Sequence, residues 1–100
     1  MTTQWKPRKK KLDPLEAELE QSVRKYAEKR GWLWLKFVSP GYDGPPDRIG
    51  MRRGRVIFME LKKFGEKPEP HQLLVHQEMR DHGVEVFVVD NLEDAMEILR

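Results

Sequence analysis

The sequence predicts a single α/β domain in which a mixed β-sheet is flanked by helices. Three observations lead there. The periodicities along the chain run helix, three strands, helix, strand, helix. Two of the strands are joined by the tight turn Arg52-Arg53-Gly54, and the last strand follows a helix, so the sheet mixes orientations. With 100 residues and no internal repeat or linker, the chain has room for one domain.

Each element has a local cause. Met1 to Leu12 is polar and basic without periodicity and reads as a flexible basic arm, leaving 13–100 as the folded domain. Asp13 is placed to cap the first helix, Pro14 takes its first position, and Glu16 falls where a capping box carries a carboxylate. Leu15, Leu19, Val23, Tyr26 and Ala27 recur at helical spacing until Gly31 ends the run. Trp32 to Val38 is aromatic and β-branched and reads as a strand. A loop dense in glycine and proline spans Ser39 to Pro46, and a short strand spans Asp47 to Met51. Arg55 to Lys62 is the clearest strand. A loop from Lys63 to Glu69 then leads to a helix that Pro70 opens and Gly83 terminates at about His82. Val84 to Val89 reads as a buried strand, and Asn91 caps a last helix carrying Leu92, Met96 and Leu99 on one face.

Composition excludes whole classes of chemistry. The chain has no cysteine, so disulfides, zinc–thiolate sites, iron–sulfur clusters and cysteine nucleophiles are all out. No apolar run approaches the roughly 18 residues of a membrane span, and nothing resembles a signal peptide, so the expected setting is the cytoplasm and no membrane. The net charge of +2 is unevenly spread. Arg24 to Lys63 holds eleven Lys/Arg against four Asp/Glu, and Phe64 to Arg100 holds three against nine. A further five positive charges lie between Lys6 and Lys11. That asymmetry suits a polyanionic partner, although a mixed, solvated surface would also show it.

The stretch with chemistry in it is Pro46-Asp47, then twelve residues, then Glu60-Leu61-Lys62. On a strand, Glu60 and Lys62 project to one side and Leu61 to the other. The turn at Arg52 to Gly54 folds the previous strand back, so Asp47 can approach Glu60 at one end of the hairpin. Two carboxylates and an ammonium meeting there make a hard, oxygen-rich site suited to Mg²⁺ or Mn²⁺. Phosphodiester hydrolysis uses such a site: the cation neutralises charge on the phosphoryl oxygens and lowers the pKa of water, and a nearby lysine orients that water. Glu-x-Lys alone is an ordinary strand end. Here it closes the apolar run Val56-Ile57-Phe58-Met59, and charges that finish a buried strand require a reason.

The ordered motifs Gly44-Pro45-Pro46-Asp47-Arg48-Ile49, Gly54-Arg55-Val56-Ile57-Phe58-Met59-Glu60-Leu61-Lys62 and Gln72 resemble the VRR-NUC family, the virus-type replication–repair branch of the PD-(D/E)XK nucleases. The resemblance runs from about Leu15 to Leu99. It implies a restriction-endonuclease-like α-β-β-β-α-β core. It also implies a Mg²⁺- or Mn²⁺-dependent endonuclease that acts on DNA, on structured or branched DNA such as a Holliday junction, in replication or repair and in a phage or bacterial setting. Asp47 and Glu60 would hold the metal together with the main-chain carbonyl of Leu61. Lys62 would act on the attacking water, and Gln72 would orient a ligand or phosphate.

The family also carries an acid on its first helix. The apolar stripe centres near Leu19, with Glu16 about 50° from that centre and Glu20 about 90°. Glu16 is the expected functional acid and Glu20 its reserve, with the capping box as the alternative role for Glu16. Lys36 and Arg48 are candidate DNA contacts, and Tyr42 could stack on an unpaired base. His71, His76 and His82 form no metal-ligand grouping and read as surface or helix-end residues. A domain this small suggests a homodimer, with Trp32 and Trp34, or Leu92, Met96 and Leu99, as candidate contacts. Two other functions remain open: a single-strand or flap nuclease, and a catalytically inactive DNA-binding module of the same fold.

Overall fold

In a computed structural model of the protein, which describes residues 14–100, the seven elements follow the expected order. They are α1 (Pro14–Lys29), β1 (Leu33–Lys36), β2 (Arg48–Arg52), β3 (Arg55–Leu61), α2 (Pro70–Asp81), β4 (Glu85–Val89) and α3 (Leu92–Leu99). The basic arm and the cap assigned to Asp13 lie outside the described residues. The sheet order is β1-β2-β3-β4, with β1, β2 and β3 antiparallel and β4 parallel to β3. It is therefore mixed, as the hairpin and the α2 crossover require. No helix among the described residues is long and apolar enough to cross a membrane.

Alternation along the strands sorts the sheet into two faces. Ile57, Met59 and Leu61 of β3 point with Trp34 and Val89 into a core closed by Val23 and Ala27 of α1 and Ala95 and Leu99 of α3. Gly50 lies within this layer. A Cβ there would come within 2.8 Å of the Trp34 ring and 3.3 Å of Trp32, so the missing side chain is what lets both indoles lie across β2. Glu60 and Lys62 project to the opposite face, where α2 packs along β4.

The ends are tied by named groups. α1 stops in a Schellman arrangement, with Trp32 N–H donating to Ala27 O at 3.0 Å and Gly31 at φ +87°. Arg52 donates to Arg30 O and to Arg100 O, each at 3.0 Å, and lies 4.4 Å from the Trp32 ring centroid. Its guanidinium thus serves carbonyls at the C-terminal ends of α1 and α3 together. Arg55 pairs with Glu85 at 2.7 Å. Two of the cations that gave the first two-thirds of the chain its basic character are therefore committed to holding the fold.

Three expectations change. β1 covers Leu33–Lys36 rather than Trp32 to Val38, because the Gly/Pro loop draws the chain away after the single bond Phe37 N–H to Asp47 O at 2.9 Å. Trp32 and Trp34 are core residues, 3% and 6% exposed, and so are not available as dimer contacts. Leu99 is likewise fully buried, whereas Leu92 and Met96 remain partly open. The apolar surface left without cover lies on the other face: Leu33 and Leu35 are exposed, Val56 is exposed, and Ile49, Met51 and Phe58 are half-buried beside them.

Candidate active site

The site forms where β2 begins and β3 ends. Arg48 pairs with Met59 in the antiparallel register, and one step further along the ladder sets Asp47 opposite Glu60. Leu61 sends its side chain into the core, so Glu60 and Lys62 emerge together on the α2 side, 7% and 5% exposed at their side chains. Lys62 Nζ stands 3.5 Å from Glu60 Oε2. Gln72 Nε2 donates to the same oxygen at 3.4 Å, at the long end of the range. Its Oε1 meanwhile accepts from Glu69 N–H at 2.8 Å, the backward half of a capping box. The start of α2 and the end of β3 are joined through this one amide.

Main-chain direction settles a further donor. Lys62 N–H bonds Val89 O at 2.8 Å, so it faces β4. The N–H and C=O of the preceding residue, Leu61, must then face the other edge, towards Asp47. Asp47 itself is pushed above the usual carboxylate pKa by burial. The Arg48 guanidinium opposes that shift, as does the nearby Leu61 main chain. Its Oδ1 is shut off from solvent and has no hydrogen-bond partner. A carboxylate oxygen left so costs about 1–3 kcal/mol, which a bound cation would repay.

The donor set fits a hard divalent cation: one carboxylate each from Asp47 and Glu60 and the Leu61 carbonyl. Among the described residues no three His, Cys, Asp or Glu side chains gather as a metal cluster.

Of the first-helix acids, Glu20 reaches this centre. Its Oε2 is 3.1 Å from Arg48 Nη2 and accepts from Arg48 Nε at 3.3 Å. Arg48 Nη1 in turn donates to Asp47 O at 2.8 Å and lies 3.7 Å from Asp47 Oδ2. Glu16 is half-buried one turn nearer the helix start. Arg48, 5% exposed, is thus the link between α1 and Asp47, and the DNA contact expected of it does not fit so buried and engaged a side chain. Lys36 is exposed at the same end of the sheet, paired in register with Arg48. The Glu20–Arg48–Asp47 connection was not read from the sequence. The signal for it was the arginine directly after Asp47, which alternation places on the helix-covered face.

The loop before Asp47 is fastened to α2. Tyr42 Oη donates to Glu78 at 2.8 Å, Asp43 pairs with His71 at 3.2 Å, and Gly44 lies so close to Val75 that a Cβ would meet it at 2.7 Å. His71 is exposed and His82 forms the C-cap of α2, both in keeping with expectation.

His76 is not a surface residue. It is fully buried, and neither ring nitrogen has a hydrogen-bond partner; the Gly44 main chain is nearby but outside bonding geometry. Burial, with help from the Arg80 and Lys62 charges, holds its pKa below the ordinary histidine value. A lowered folded-state pKa means the unfolded chain takes the proton more readily. Stability is therefore full above the unfolded value near pH 6.5 and falls as pH drops below it towards the folded value. Urea unfolding at pH 7.5 and 5.5 should show this loss, and His76→Leu should remove the part of it due to this ring. An unchanged pH slope in the variant would assign the loss to other groups.

No protein-family model matches the chain. The fold, however, superposes on a solved "VRR_NUC domain" with a TM-score of 0.80 and 30% identity, covering 87% of this chain and 96% of that one. The class so defined is a nuclease. The chain is also 42% identical over 88 residues to "Putative nuclease p44" of Acyrthosiphon pisum secondary endosymbiont phage 1, spanning 87% of this chain and 89% of the phage protein. The chain belongs to the VRR-NUC family.

Proposed function

We propose that the protein is a divalent-metal-dependent endonuclease that hydrolyses DNA phosphodiester bonds, preferring branched or junction-like DNA in replication or repair. The observation that carries this reading is Asp47 Oδ1, buried and unpartnered beside the Glu60–Lys62 pair. Asp47, Glu60 and the Leu61 carbonyl would hold Mg²⁺ or Mn²⁺. When bound, the cation neutralises charge on the phosphoryl oxygens and lowers the pKa of water. Lys62 orients the attacking water and meets the charge that grows on the scissile phosphate. Gln72 holds the Glu60 carboxylate in place, and Arg48, braced by Glu20, holds the Asp47 main chain. Lys36, exposed at this end, contacts substrate phosphate. The basic arm adds charge for the DNA backbone, and the setting is the interior of a bacterial cell or of one infected by phage.

The enzyme works as a homodimer, since cutting a two-fold branched DNA calls for two centres at a fixed separation. The apolar sheet face of Leu33, Leu35, Ile49, Met51, Val56 and Phe58 is the surface offered to a second copy.

Cleavage of four-way-junction, flap, duplex and single-stranded DNA should require Mg²⁺ or Mn²⁺ and stop in excess EDTA, with Ca²⁺ supporting binding alone. Light scattering should give twice the 11.9 kDa chain mass. Cutting that survives EDTA would remove the metal from the mechanism. A monomer equally active on linear single strands would replace the junction reading with a single-strand or flap nuclease. Binding without cutting under every metal would indicate an inactive module.

A further inference from the structure

We infer that Phe64 is a base-stacking residue, which receives an unpaired nucleobase beside the phosphate being cut. The inference rests on the nuclease reading and deepens it by naming what the enzyme recognises next to the scissile bond. Phe64 is 80% exposed, more than any other large apolar side chain among the described residues. A single exposed apolar residue means little by itself. This one stands two residues beyond Lys62, within roughly 7 Å along the chain.

It is also held still. Lys63 to Glu66 form a β-turn closed by Glu66 N–H to Lys63 O at 2.8 Å. Gly65 takes the third position at φ +81°, the value a type II turn requires, so Phe64 occupies the first corner. The Gly65 N–H, which such a turn leaves pointing outward, donates to Asp90 Oδ2 at 2.9 Å, at the end of β4. A turn locked by its own hydrogen bond, a glycine and a carboxylate from another strand thus presents an aromatic ring to solvent next to the catalytic lysine.

Nucleobases stack on such rings whatever their sequence, because every base has a π-face. A base inside a duplex already has stacking neighbours; an unpaired base in a flap or at an opened branch point does not. Phe64 therefore favours DNA with an unpaired nucleotide next to the cut and adds little on continuous duplex. Its exposure also means that substitution there leaves the core untouched.

The test uses a flap duplex with 2-aminopurine at the first unpaired position and a fully paired duplex with the same label, both in Ca²⁺. Wild type should lower the flap probe's fluorescence, Phe64→Ala should not, and Phe64→Trp should restore the effect. With Mg²⁺, Phe64→Ala should cut the flap about tenfold more slowly and the paired duplex at the wild-type rate. A wild type that cuts, alongside a Phe64→Ala variant with unchanged probe response and flap cleavage, overturns the inference and leaves the nuclease reading standing. Equal slowing on both DNAs, or a fall in mass by light scattering, makes Phe64 a general or protein–protein contact and overturns it too. A wild type that neither cuts nor perturbs either probe removes the nuclease reading and this inference with it.

Discussion

Asp47→Asn should stop cleavage, with a loss of about 10³-fold or more, and at the same time raise the melting temperature of the metal-free protein. The rate loss follows from removing a carboxylate ligand, since the cation contributes several kcal/mol to the transition state and each 1.36 kcal/mol is tenfold. The stability gain follows from the direction of the Asp47 pKa. Burial raises it in the folded state, so the folded protein holds that proton more readily than the unfolded chain. Its contribution is therefore favourable at low pH and is lost as pH rises through the folded value. At neutral pH the penalty falls on Oδ1, which is shut off from solvent with nothing to bond; the side chain as a whole is 44% exposed and Arg48 stands 3.7 Å from Oδ2, so the gain is small. The neutral amide lifts that charge penalty. Mg²⁺ should raise the melting temperature of wild type and leave Asp47→Asn unmoved. A variant that melts lower than wild type, and still responds to Mg²⁺, would show that Asp47 is not the ligand.

Lys62→Met should slow cutting by about 10²- to 10⁴-fold while metal binding survives, because the ammonium works on water and substrate rather than on the cation. The stability effect has the opposite sign to that at Asp47. Glu60 and Lys62 are both more than nine-tenths buried and 3.5 Å apart. Removing the ammonium leaves a buried carboxylate short of its counter-charge, a loss of about 3 kcal/mol in the metal-free protein. Mg²⁺ should restore part of it by replacing the lost positive charge. Urea unfolding with and without Mg²⁺ separates the two effects from the rate. Cleavage at the wild-type rate would end the proposed role of Lys62, and metal-independent stability would detach Glu60 from the cation.

The two variants differ because the two carboxylates are held differently. Glu60 sits in a closed setting with Lys62 and Gln72 on one oxygen. Asp47 has a buried oxygen left over. A site built to bind something must leave part of its polar capacity unsatisfied in the protein alone, and Asp47 is where that cost falls.

Much of this was legible in the residues. The alternation of Arg55 to Leu61 puts Glu60 and Lys62 on one side with any neighbours at all, because strand periodicity is local geometry. The turn at Arg52 to Gly54 and its register bring Asp47 opposite Glu60 for the same reason. Pro70, Gly31 and Asn91 mark helix ends through their own backbone and side-chain chemistry. The family followed from motifs in a fixed order, and the fold agrees with it.

What only the tertiary structure decided depends on which surfaces meet. Period-two alternation gives β1 two faces without saying which is inside; α1 and α3 bury the Trp32/Trp34 face and leave Leu33 and Leu35 open. Helical spacing turned both Glu16 and Glu20 towards the sheet. The buried part of the stripe centres on Val23 and Ala27 rather than Leu19, Leu15 is exposed, and it is Glu20 that lies within reach of Arg48. His76 reads as one more polar residue on a helix until the fold buries it with the Gly44 main chain nearby. Local geometry fixes a side chain's direction from its own strand or helix; its burial, its partners and its pKa belong to whatever is packed against it, and that is set by contacts between residues far apart in the chain.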